Sequence, residues 1–163
     1  MGDIVAPEDY GVAEHPGIVA LRSYWRRIGD GSLPGRSDLD PADIPRILGN
    51  VMLIDVERAP IRFRMRLCGT AVDRVFGQDF TGCYLDDLPA EYFERDVLMD
   101  YAGVVTTQRP HFLQRTVAIG DGGWLAYQRL LLPLSDDGSD VDMLLGGVFG
   151  SIEKRMEKAS YSA

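Results

Sequence analysis

The stretch FRMRLCGTAVDRVFGQDFTGCYLDDL, residues 63–88, decides the fold class, because an alternating run passes directly into a short helix and then a Thr-Gly turn. Ile61, Phe63, Met65 and Leu67 alternate with Arg62, Arg64 and Arg66. That is the period of a strand with one face buried and the other in water. Cys68 and Gly69 end the run. Thr70 with Asp73 three residues later reads as a capping box, Ala71, Val72, Val75 and Phe76 put an apolar stripe on one or two helical turns, and Gly77 stops them. A second short turn is expected at residues 79–88.

Outward from this stretch, the apolar run Val51 to Val56 and the four residues Glu57 to Pro60 complete a first hairpin. After Pro89, Phe93, Val97, Leu98, Tyr101, Val104 and Val105 recur at helical spacing and predict a helix of several turns whose apolar side covers the sheet. Beyond Pro110, a strand beginning at Leu113 turns at Gly120 to Gly123 into a long strand from Trp124 to Leu134, and a turn at Asp136 to Ser139 leads to Val141 through Phe149. Five strands in two hairpin-rich blocks predict an α+β fold, one antiparallel sheet with the intervening helices on one face.

The chain before the first strand divides further. Residues 1–16 read as a flexible arm, and residues 17–50 as a helical extension in which Ile18, Leu21, Trp25 and Ile28 fall at helical spacing, so that this helix docks or dimerises. Asp40, Pro41 and Asp43 supply the start of a short helix to Leu48. Residues 51–150 form the sheet-and-helix domain and 151–163 a tail, with Ser151 to Lys158 read as a charged helix.

This order of parts resembles a PAS domain, in which two strands lead into several short helices and one longer helix before three antiparallel strands complete the sheet. It is most similar to a bacterial single-domain PAS subfamily in which a Trp-containing helix and an Asp-Pro turn precede the first strand, here Trp25 and Asp40-Pro41. The resemblance runs from about Tyr24 to Gly150, and its most specific pieces are RLCGTAV, FTGCYLDDL and LLLPLSDDGSDVDMLLG. It implies a five-stranded antiparallel sheet and a noncatalytic sensory module that regulates a signalling partner protein by association.

Composition narrows the partners. At 163 residues and 45% apolar, the chain is long and apolar enough for a single packed core. Seventeen basic against twenty-five acidic side chains leave a formal charge of −8, which opposes attraction to nucleic acid or to an anionic membrane surface. The longest apolar runs are too short to span a bilayer and the first residues lack the order of a signal peptide, so a cytoplasmic protein is expected. Two cysteines and two histidines provide no metal framework, and no metal ligand or cofactor is assigned.

Candidate chemistry is sparse. In haem-binding relatives the axial histidine lies within the helix, whereas His111 follows Pro110. Flavin-binding relatives carry an Asn-Cys-Arg run, whereas Cys83 sits in Gly82-Cys83-Tyr84. The acidic cluster Asp136, Asp137, Asp140 and Asp142 lacks calcium-loop spacing and reads as a hairpin tip, GGVFG at Gly146 to Gly150 reads as close packing, and no hydrolase motif occurs. No catalytic residue is assigned.

The space between sheet and helices is the expected ligand site. Phe63, Met65, Phe76, Phe80, Leu98, Tyr101, Phe112, Trp124, Tyr127, Gln128 and Arg129 are its candidate lining, suited to a small organic acid or aromatic whose carboxylate an arginine grips with two hydrogen bonds. Ile18, Leu21 and Trp25 are the candidate homodimer contact, and Arg62, Arg64 and Arg66 face either the acidic hairpin tip or a partner. The alternatives to a sensor are a solid-core adaptor in signalling or motility and, third, a small-molecule enzyme using the same cavity.

Overall fold

The alternating and continuous apolar runs form strands that pair only antiparallel in the computed structural model, which describes residues 13–89, 95–119 and 122–153. The strands are β1 (Val51–Glu57), β2 (Arg62–Cys68), β3 (His111–Ile119), β4 (Gly123–Leu134) and β5 (Met143–Glu153). Their order across the sheet is β2-β1-β5-β4-β3. The α-helices among the described residues are α1 (Pro16–Gly29), α2 (Thr70–Phe76) and α3 (Arg95–Thr107). The α+β expectation holds.

Both faces of the sheet are covered. On one side Ile54, Phe63, Met65 and Leu131 pack with Val72, Phe80, Tyr101 and Val104 from α2, α3 and the segment between them. On the other side Ile18, Leu21 and Tyr24 of α1 pack on Leu53, Leu130, Leu132 and Leu145. A strand buried on both faces has no polar alternate positions, which accounts for the apolar runs Val51 to Ile54 and Leu130 to Leu134. Ile18 and Leu21 are fully buried in this way, so the homodimer contact expected through them is instead an intrachain one.

Helix α1 begins at Pro16, whose missing N–H costs nothing there, and His15 Nδ1 accepts the Gly17 N–H at 2.9 Å. Two further bonds seat it: Trp25 Nε1 donates to the Pro133 carbonyl at 2.9 Å and the Tyr24 hydroxyl accepts the Asp40 N–H at 2.8 Å. Close approach depends on Gly147 of β5, because a Cβ there would lie 2.6 Å from a Leu21 methyl. The expected packing role of the GGVFG segment is thereby explained.

Several local expectations are corrected. A bulge between Leu53 and Ile54 shifts the β1–β2 register, so Leu67 pairs with Leu53 on the α1 side and is 44% exposed at the sheet edge. Ile61 precedes β2 and is equally exposed. The Asp40 side chain does cap Ala42 N–H, but Pro45 disfavours helical backbone at Ile44, so a single 3-10 turn, Pro41–Asp43, replaces a helix to Leu48. Gly69, not Thr70, is the N-cap of α2, and β5 continues through Ser151 to Glu153 where a terminal helix was expected. Phe93, residues 1–12 and the tail from 154 lie outside the described residues.

The arginine row is also placed differently. Arg62 pairs with Asp86 at 3.0 Å and Asp87 at 3.1 Å, and Arg66 with Asp55 at 3.1 Å, not with the acidic hairpin tip. The tip closes on itself, Asp137 Oδ1 accepting the Ser139 and Asp140 N–H groups and Asp142 Oδ2 the Asp136 N–H. Edge strand β2 is protected by the segment at 82–84, where Gly82 N–H donates to the Met65 carbonyl and Met65 N–H to the Cys83 carbonyl.

Candidate functional site

Alternation along β4 sends Leu125, Tyr127, Arg129 and Leu131 toward α2 and α3 and the intervening residues toward α1. Arg129 therefore enters an apolar interior and is 3% exposed. A guanidinium there is costly unless paired. Helix α3 answers with Asp100, beside the buried Tyr101, whose Oδ2 accepts a hydrogen bond from Arg129 Nη2 at 2.9 Å. His111, at the start of β3, places Nδ1 3.5 Å from the same Nη2 and Nε2 3.6 Å from Asp100 Oδ1. The Arg129 guanidinium also lies 5.1 Å from the centre of the Tyr101 ring.

One donor is left over. Arg129 Nε is buried and has no hydrogen-bond partner among the described residues. Arg129 borders an enclosed cavity of about 10 Å³, room for roughly one water. Met52, Met65 and Val148 form the sheet wall of this cavity, and Val72, Phe76, Phe80, Val97 and Tyr101 its helical wall. Burial pushes the Tyr101 hydroxyl above its usual range, against the opposing effect of Arg129, so it stays protonated.

Burial holds the His111 imidazole below its ordinary pKa, Arg129 adds to this and Asp100 opposes it. The folded protein thus binds this proton less tightly than the unfolded chain does. The stability contributed by neutral His111 is complete above the unfolded imidazole's pKa, about 6.5. It is lost as pH falls through that value toward the lower folded one. Melting curves recorded from about pH 8 to about pH 5 should show a smaller decline for His111→Gln than for the unaltered chain. Equal declines would mean that this imidazole does not titrate with unfolding.

Of the residues expected to share one ligand space, Met65, Phe76, Phe80, Tyr101, Tyr127 and Arg129 border the cavity. Phe63 stands behind it, 5.5 Å from the Tyr101 ring, and Leu98 packs at the edge of the same cluster. Phe112, Trp124 and Gln128 do not belong to it. Strand alternation puts them on the α1 side, where Phe112 joins the second core, Trp124 is 49% exposed, and Gln128 ties down the chain before α1 through the Ala13 carbonyl and the His15 N–H. Asp100 was not anticipated, nor were Met52, Val72, Val97 and Val148 as cavity wall. An arginine at an inward strand position was the available signal, since it requires a carboxylate on the facing helix.

Elsewhere the chemistry is structural. Burial pushes the Cys68 thiol up to about 12, reinforced by its hydrogen bond with Asp73, which leaves it a poor nucleophile. Among the described residues no group of three His, Cys, Asp or Glu is placed to hold a metal ion. No described helix is long and apolar enough to cross a membrane.

Solved structures with a similar course of chain include the PAS domain of the histidine kinase ThkA, 16% identical, covering 61% of this chain and 97% of that one with a TM-score of 0.43. The PAS domain of Bordetella pertussis BvgS is 19% identical, covers 68% and 84% of the two chains, and gives a TM-score of 0.42. A fungal LOV domain photoreceptor is 12% identical, covers 80% and 91%, and gives 0.46. No curated protein matches the chain. The family model described as "PAS domain" matches residues 13–149, from the start of α1 to the end of the glycine-rich part of β5, and the chain belongs to the PAS domain family.

Proposed function

We propose that this PAS domain is a noncatalytic sensory module in which a small molecule occupies the space between sheet and helices and alters association with a signalling protein. The observation that carries this reading is Arg129, a cation buried at the wall of an enclosed, largely apolar cavity, with an Nε–H that has no partner among the described residues. In a closed core one buried water would satisfy such a donor, whereas in a binding site it is one of the few fixed polar groups that an apolar wall needs to orient a ligand. Native mass spectrometry of the purified chain is expected to show a retained small molecule, or uptake of one from a metabolite extract.

The cavity's small volume favours a second reading, the solid-core adaptor. A bare mass under native conditions, with no interior amide shifted by the extract, would select it. In either reading the arginine row of β2 is the proposed partner face. Arg62 and Arg66 are engaged by carboxylates of this chain, while exposed Arg64 makes a long 3.4 Å contact with the Gly82 carbonyl, lies 6.0 Å from the centre of the Tyr84 ring and, among the described residues, is paired with no carboxylate, which leaves it for an acidic partner. Arg64→Glu should leave the melting temperature nearly unchanged and weaken partner capture several-fold. Capture insensitive to the substitution would remove this face from the proposal.

A further inference from the structure

Asp100 already balances the charge of Arg129, at 2.9 Å, and among the described residues neither His111 of β3 nor Tyr101 of α3, which also lie beside the pair, supplies a second fixed positive charge. A carboxylate entering the cavity would therefore bring an uncompensated negative charge among Met52, Met65, Val72 and Phe80, where burial of an unpaired ion is severely unfavourable. An uncharged oxygen would accept the Nε–H without that cost. From this geometry we infer that the cavity takes a small, uncharged, largely apolar compound presenting one acceptor oxygen, such as a ketone or aldehyde carbonyl, to Arg129 Nε, and rejects the corresponding carboxylate. This rests on the sensory reading above and replaces the two-bond carboxylate grip expected from sequence. Because the open volume is only about 10 Å³, occupancy displaces a wall.

Three probes with the same number of heavy atoms separate the terms: methyl isopropyl ketone, its carboxylate counterpart isobutyrate, and benzene, which has no acceptor oxygen. Each is titrated into the isotopically labelled full chain while backbone amide resonances are followed. The ketone is expected to shift amides of Val72, Arg129 and Val148 and to bind at least about tenfold more tightly than isobutyrate, which would bury an unpaired charge, and than benzene, which cannot accept the hydrogen bond. Arg129→Met should bind the ketone no better than benzene. Should that variant fail to fold, Arg129→Lys keeps a charge for Asp100 but lacks the Nε–H, and gives the same readout. Isobutyrate binding as tightly as the ketone, or benzene matching the ketone in the unaltered chain, would overturn this inference and leave the sensory reading standing. Silence of the interior amides toward all three probes would remove both.

Discussion

Phe63→Asp should lower the stability of this domain by on the order of 3 kcal/mol or more. Phe63 is 5% exposed, faces Val56 across the β1–β2 ladder and meets the Tyr101 ring at 5.5 Å, so its side chain lies inside the core under α3. A carboxylate there must shed its water and either take up a proton or pull β2 away from the helix. For a domain of this size the loss corresponds to a fall in melting temperature of roughly 10 °C. The deficit should shrink as the pH is lowered toward the carboxylate's raised pKa, because the protonated side chain is cheaper to bury. Phe63→Leu, which keeps the site apolar, should cost only about 1 kcal/mol. An unchanged melting temperature for Phe63→Asp would mean that this face of β2 points to water.

Leu21→Ala should cost about 3 kcal/mol, within the range for removing a fully buried leucine. Leu21 is 0% exposed, and its methyl group fills the space that a side chain at position 147 would otherwise occupy. The pairing invites a double substitution. Gly147→Ala alone forces its new methyl against Leu21 at 2.6 Å and Phe149 at 3.2 Å and should be destabilising by about 1–3 kcal/mol. With Leu21→Ala already in place the first of these clashes is gone and the vacated volume is partly refilled, so the double variant should be more stable than the sum of the two losses implies, by about 1 kcal/mol. Strict additivity in chemical denaturation would show that α1 does not rest on β5 at this point.

Much of this architecture was legible residue by residue. The Phe63 and Met65 alternation, the stop at Gly77 and the turn at Asp136 to Ser139 each follow from local backbone preferences that neighbours need not override. Sidedness was harder. Trp124 to Arg129 mixes polar and apolar residues on both parities, and only the buried Leu125 and Leu131, two steps apart from Tyr127 and Arg129, reveal which set turns inward. The bulge at Leu53 and Ile54 depends on how two strands meet and leaves no mark on either strand alone. The two-sided cover did leave a mark, in the apolar runs Val51 to Ile54 and Leu130 to Leu134, whose alternate residues Leu53, Leu130 and Leu132 lie on the face α1 occupies. Asp100 became meaningful only once Arg129 was known to lie opposite it.

Strand order has a consequence for how the chain is assembled. β1 neighbours β2 and β5, while β4 neighbours β3 and β5, so the strand latest in sequence is the keystone between an early hairpin and a late one. A ribosome that has released everything up to Leu134 holds two disconnected ribbons, each with an open edge, and no vault between them. Closing the gap joins positions as distant in sequence as Val51 and Gly147, the kind of long loop that slows folding. The enclosed space under α2 and α3 therefore arises in one late step, when β5 slots home between the two ribbons.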